Sequence, residues 1–193
     1  MKSKIAIIGD GNVGSALRRG LERAGYEVKS VGKDPPRVRE TATWGQVIIL
    51  AVPYPAVEET IREMADAVRG KLLIDASNAL TPDLQLALGF TTSGAEELQK
   101  KVPSAKVVKA FNTIFAENMT TGEVKGTALT LLVAGDDEEA KKQVLGLGRD
   151  IGFDPVDAGP LKNARLLEPL ANLAIQLGYG LKMGTQIGFK LIR

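Results

Sequence analysis

Short apolar runs alternate along this chain with stretches in which apolar residues return every third or fourth position. The runs Lys4–Ile8, Glu27–Val31, Val47–Val52, Lys71–Asp75, Lys106–Phe111, Thr127–Ala134 and Phe153–Asp157 read as strands. Between them, Val13–Ala24, Ala56–Val68 and Asp136–Gly148 carry the helical period. Strands that alternate with helices predict an α/β fold, a doubly wound and mostly parallel sheet with helices on both faces. Val47–Val52 is apolar throughout, as a strand buried on both faces requires.

Two segments break the rhythm. The crossover Gly32–Gln46 is barely long enough to link parallel strands and has two prolines near its start, so a full helix is not expected there. After Pro160 the pattern turns helical over Leu161–Leu181, with Pro169 expected to kink or divide it. This predicts a main domain over residues 1–159 and a small helical part over 160–193. Gly180, Gly184 and Gly188 recur every four residues. That spacing suits either close approach of another helix, as in a homodimer through the C-terminal helices, or a loop and a frayed end.

The first predicted strand runs into Gly9-Asp10-Gly11-Asn12-Val13-Gly14, a G-x-G-x-x-G motif that opens a helical pattern. In that context the motif predicts dinucleotide binding. Gly9 permits the tight turn, Gly11 lets backbone approach a pyrophosphate, and Gly14 lets helix pack on strand. The helix N-terminus offers free N–H groups to the phosphates. Asp10 is discordant beside phosphate and is expected to face solvent or a ribose. The second strand ends at Val31-Gly32 without the acidic residue of NAD-preferring sites, and Lys33 and Arg37 follow closely. That favours NADP(H), with Asp34 as the counter-argument because it could serve a ribose hydroxyl.

Composition narrows the chemistry. Among 193 residues there is no cysteine and no histidine, which excludes disulfides, thiol nucleophiles, histidine bases and Cys or His metal sites. No catalytic side chain and no metal site are therefore assigned. A hydride transfer between cofactors fits, because it needs little proton transfer from protein. A net charge of +2, with no basic block, argues against nucleic acid. No run reaches the roughly 20 apolar residues of a membrane span, so a cytoplasmic protein with small-molecule partners is expected. Lys109 is read as a structural ion pair before a catalytic group, Asp75 and Asn78 as an Asx-type turn, and Trp44 as packing. Tyr54 either flanks a ring or fills the core rim.

The segments AVPYPAVEET, LIDASNAL, VVKAFNTIFAENM, LTLLVAGDDEEAKK and PVDAGPLKNARLLEPLANL together resemble the NADP-dependent coenzyme F420 oxidoreductase family, which includes the reductase domain of the STEAP metalloreductases. The resemblance covers nearly the whole chain. It implies a Rossmann domain with a C-terminal helical part, NADP(H) on the glycine loop, and F420, FMN or FAD in a cleft beside the nicotinamide. By position it assigns Ala51, Val52 and Pro53 to the nicotinamide ribose. It assigns Asn112, Thr113, Ile114 and Ala116 to the nicotinamide and second ring. Ser77 and Asn78 stand at another strand's carboxyl end, where such sheets bind ligands. Lys33-Asp34 replaces the Ser-Arg pair of many members, and the short crossover trims the adenine side. A non-catalytic NADP(H)-binding or sensing module is the alternative. A hydroxyacid or imine dehydrogenase using Lys109 is disfavoured by the short C-terminal part.

Overall fold

The computed structural model describes residues 2–193. Seven strands form one sheet: β1 (Lys4–Ile8), β2 (Glu27–Val31), β3 (Val47–Leu50), β4 (Leu72–Asp75), β5 (Lys106–Lys109), β8 (Thr130–Gly135) and β9 (Asp154–Asp157). Their order is β2-β1-β3-β4-β5-β8-β9, parallel except where β8 runs antiparallel to β5. From β1 the chain goes outward to β2 and then returns to place β3 on the other side. The strand order therefore reverses between β1 and β3, and a crevice opens at their carboxyl ends.

Helices cover both faces, as the periodicity predicted. On one face α1 (Asn12–Arg23) and α6 (Glu138–Ile151) bury Leu17, Leu21, Val144 and Leu147 against Ile5, Ile7, Ile49 and Ile74. On the other, α2 (Pro35–Trp44), α3 (Val57–Met64) and α4 (Gly94–Lys101) bury Val38, Met64 and Leu98 against Ala6, Ile8, Ile48 and Leu73. The central strands present apolar side chains to both layers, which is why they lack alternation.

The structure corrects the reading of the crossover. Pro35–Trp44 is a ten-residue helix, because its prolines occupy the first two helical positions, whose N–H groups have no intrahelical partner in any case. Asp34 caps it by accepting the Arg37 N–H. The expected strand Thr127–Ala134 is two elements. β6 (Glu123–Val124) and β7 (Thr127–Ala128) form a hairpin whose turn residues Lys125 and Gly126 both have positive φ, and β8 begins afterwards. A short helix, α5 (Ala116–Met119), precedes the hairpin.

Pro169 does not divide the C-terminal helix. A 3₁₀ turn at Leu161–Asn163 leads into α7 (Ala164–Ile175), which runs through Pro169 and widens into a π turn at Gln176–Gly180. Beyond it the chain is irregular, so Gly184 and Gly188 are not on a helix face. Gly178 and Gly188 instead serve contacts within the chain, against the Phe115 ring and the Leu129 side chain. The tail is tied down where Thr130 N–H donates to the Phe189 carbonyl and the Asn118 amide donates to the carbonyls of Thr185 and Ile187.

The C-terminal part is locked to the sheet by charge. Asp75 and Lys109 are register partners on adjacent parallel strands β4 and β5. Lys109 Nζ lies 2.9 Å from Asp75 Oδ2 and 2.9 Å from Glu168 Oε1 on α7, and it donates to the Ser77 carbonyl. All three side chains are at most 3% exposed. The second carboxylate's negative charge is met by the start of α4, where Gly94 and Ala95 N–H donate to Glu168. Burial alone would depress the Lys109 ammonium, but Asp75 and Glu168 outweigh it and hold its pKa above the usual lysine value. Lys109→Met should therefore leave two carboxylates buried without their cation and cost about 3–5 kcal/mol, measured by urea unfolding. A loss under about 1 kcal/mol would show that the triad does not hold the fold.

Candidate dinucleotide and ring site

The loop after β1 is shaped by contacts that only glycine allows. Gly9 has φ +116°, and a Cβ there would fall 2.6 Å from the Ala51 carbonyl carbon. A Cβ on Gly14 would meet the Gly9 carbonyl and Ile7, so α1 sits directly on the turn that precedes it. A Cβ on Gly11 would meet nothing within 4 Å, because Gly11 faces open space. Gly11 is also the N-cap of α1, no side chain caps that end, and its first turn carries no acid. Helix N–H groups are thus left for an anion beside a backbone stretch with room for one.

That space is a cavity of about 430 Å³. Gly9, Asp10, Gly11, Lys33, Ala51, Val52 and Pro53 line it, together with Gly32, Pro35, Glu59, Thr60 and Glu63. A second cavity of about 230 Å³ lies past the loop. It holds Asn12, Val13, Asn78, Asn112, Thr113, Ile114, Ala116 and the carboxylate Glu117, with Phe115, Ala171, Ala174, Ile175 and Tyr179 completing the lining. The sequence-predicted residues therefore separate into two groups, one on each side of the glycine loop.

Three predicted residues stand outside both linings. Gly14 acts through packing. Ser77 is buried, its hydroxyl donating to Asp75 and its carbonyl accepting from Lys109. Arg37 is turned toward Asp34, 4.0 Å away, and Asp34 is itself spent as a helix cap. The Asx turn exists at Asp75, which accepts Ser77 N–H, but Asn78 belongs to a different pair. Asn78 donates to the Asn112 carbonyl and accepts from the Asn112 amide, which also donates to the Leu167 carbonyl on α7. Asn112 Oδ1 is buried with no hydrogen-bond partner among the described residues. The preceding residue, Phe111, is fully buried at φ +68°, a strained conformation that turns the chain into the cavity.

Tyr54 lines neither cavity and packs on the second core layer. Burial first, then the charges of Glu168, Glu97 and Asp75, push its phenol upward. Trp44 is half-buried packing beneath the ammonium groups of Lys29 and Lys4. Lys109 is sealed from both cavities and cannot reach a substrate. Sequence reasoning missed Glu59, Glu63 and the α7 residues Ala171, Ala174 and Ile175. The two acids lie on the outer side of a predicted helix, and nothing in the spacing marks which turn meets the glycine loop.

A mostly parallel sheet with a strand-order reversal, a glycine loop at that reversal and a second cavity beside it define a Rossmann-type α/β architecture. The model of the family NADP oxidoreductase coenzyme F420-dependent matches residues 4–46. The F420-dependent NADP reductase of Methanocaldococcus jannaschii is 30% identical over 174 residues, covering 86% of this chain and 76% of that protein. The chain belongs to this family. Metalloreductase STEAP3 of Rattus norvegicus is 31% identical over 179 residues, and the chain spans about a third of that protein's length (36%). Among solved structures, a candidate F420-dependent NADP-reductase from Arthrobacter sp. FB24 superposes over the whole of both chains with a TM-score of 0.91 at 26% identity. Among the described residues no helix is long and apolar enough to cross a membrane.

The loop geometry separates two substitutions. Gly14→Ala should destabilise the protein by about 1–3 kcal/mol through the clash with Gly9. Gly11→Val should leave stability within about 0.5 kcal/mol and weaken dinucleotide binding by at least roughly tenfold, since its side chain fills the open space. Thermal unfolding and a binding titration on the same two proteins check this. Unchanged affinity in Gly11→Val would remove the loop from the binding site.

Proposed function

We propose that this protein transfers a hydride between a nicotinamide dinucleotide, read as NADP(H) from the family to which it belongs, and a deazaflavin of the F420 type, with FMN or FAD as the alternative acceptor. The observation that carries the reading is the pair of cavities on either side of one glycine loop. One offers helix N–H groups and open backbone to a dinucleotide; the other is a smaller, largely apolar slot with an unpaired buried amide oxygen. The family's names, which specify NADP and F420, support the same reading.

Bound nicotinamide and bound deazaflavin or flavin would supply the hydride donor and acceptor carbons. The chain's own work is to bind, align and exclude water. The α1 N-terminus and the backbone at Gly9–Gly11 hold the phosphates. Ala51, Val52 and Pro53 frame the ribose on the larger cavity's wall. Asn112 Oδ1 lacks a donor, and a carboxamide N–H is a donor of the right kind for it. Asn78 fixes the Asn112 amide, and Leu167 ties both to α7. Ile114, Phe115, Ala171, Ala174 and Ile175 make the second slot dry, which favours close ring alignment over solvent access. No proton need move at a protein atom during the transfer.

Anaerobic mixing with NADPH and oxidised F420, with FMN in a parallel cuvette, tests the reading through the acceptor absorbance. Bleaching of F420 is the expected result. Bleaching of FMN alone assigns the flavin as acceptor, and bleaching of neither leaves a dinucleotide-binding module without turnover.

A further inference from the structure

We propose that Asp10 sets which dinucleotide this chain takes, by placing a carboxylate where a 2′-phosphate would have to lie, so that NADH binds at least as tightly as NADPH. This rests on the dinucleotide reading of the larger cavity.

In Rossmann domains the tip of the second strand meets the adenosine ribose, and an acidic side chain there bonds the 2′-hydroxyl. Here the tip residue is Gly32 and has no side chain. The vacant position is filled from the neighbouring loop: a Cβ at residue 32 would fall 2.7 Å from Asp10 Cγ. The carboxylate missing from β2 in sequence is therefore restored in space, carried by the first variable position of the glycine motif. It is exposed and accepts no hydrogen bond from the described residues, so its oxygens are free for hydroxyl donors.

The surrounding charge points the same way. Asp10, Glu59 and Glu63 line the cavity against one ammonium, Lys33. Arg37, the other cation expected to hold a phosphate, is outside the lining and faces Asp34. Neither Glu59 nor Glu63 is neutralised by an ion pair among the described residues. With three carboxylates to one lysine, the lining disfavours a dianionic phosphate, while the Asp10 carboxylate beside Gly32 can accept from the hydroxyls of an unmodified ribose. The names of the relatives specify NADP; the side chains lining this cavity favour the cofactor without the extra phosphate.

The test is a pair of binding titrations, NADH and NADPH, at low ionic strength, on the wild type, Asp10→Asn and Lys33→Gln. Both sites are exposed and neither side chain supports the core, so both variants fold. The wild type should bind NADH at least as tightly as NADPH. Asp10→Asn should shift the ratio toward NADPH by roughly tenfold, and Lys33→Gln should shift it the other way. A wild type that prefers NADPH, or a ratio that Asp10→Asn moves by less than about twofold, overturns the proposal. Binding of neither cofactor overturns it together with the reading of the cavity, a result distinct from a wrong ratio.

Discussion

One buried cation holds this architecture together. Lys109 stands between Asp75, its register partner in the sheet, and Glu168 on α7, and it is closed to solvent. Strand pairing fixes the first partner. The second must be brought by a helix more than fifty residues later in the chain. Because an unpaired buried charge costs several kcal/mol, α7 cannot leave the sheet without a large penalty. The same contact fixes the start of α4 through two N–H groups. The wall of the smaller cavity, formed by Ala171, Ala174 and Ile175, follows Glu168 within two turns of the same helix. A charge buried for stability thereby sets the width of an apolar slot.

The glycine loop imposes a second constraint, and it is steric. Gly9 and Gly14 are each pressed against backbone, while Gly11 faces space. Identical residues in one short motif thus do opposite jobs: two close the turn and one keeps it open. This division was legible from spacing and context, as were the sheet and the two-faced helical cover. Periodicity suffices for those elements because each has one face that must be buried.

What the sequence concealed follows from local chemistry overruled by position, or from partners far apart in the chain. Two prolines read as a helix breaker in Gly32–Gln46, yet at the first two positions of α2 they remove no internal hydrogen bond. Lys125-Gly126 joins two strands of two residues each, too short for alternation to register. Glu168 carries no signal in the spacing of its helix that marks it as buried, yet it is 2% exposed, because its partners lie on β5 and α4. Asp10 looked misplaced beside a phosphate site. Only the pairing of β1 with β2 brings it over Gly32.

A chain without histidine or cysteine is suited to a reaction in which the protein atoms stay out of the proton inventory. Its strongest acid–base cluster is sealed inside the sheet, where the lysine is held charged and the carboxylates are already paired. Asp10, Lys33, Glu59 and Glu63 line the larger cavity, and the smaller slot is walled mostly by aliphatic and aromatic carbon. Charge thus holds the fold at one place and lines the larger cavity at another, while the smaller slot carries a single carboxylate, Glu117. The C-terminal helix contributes an apolar wall to that slot, at a position set by the contacts of Glu168 and Leu167.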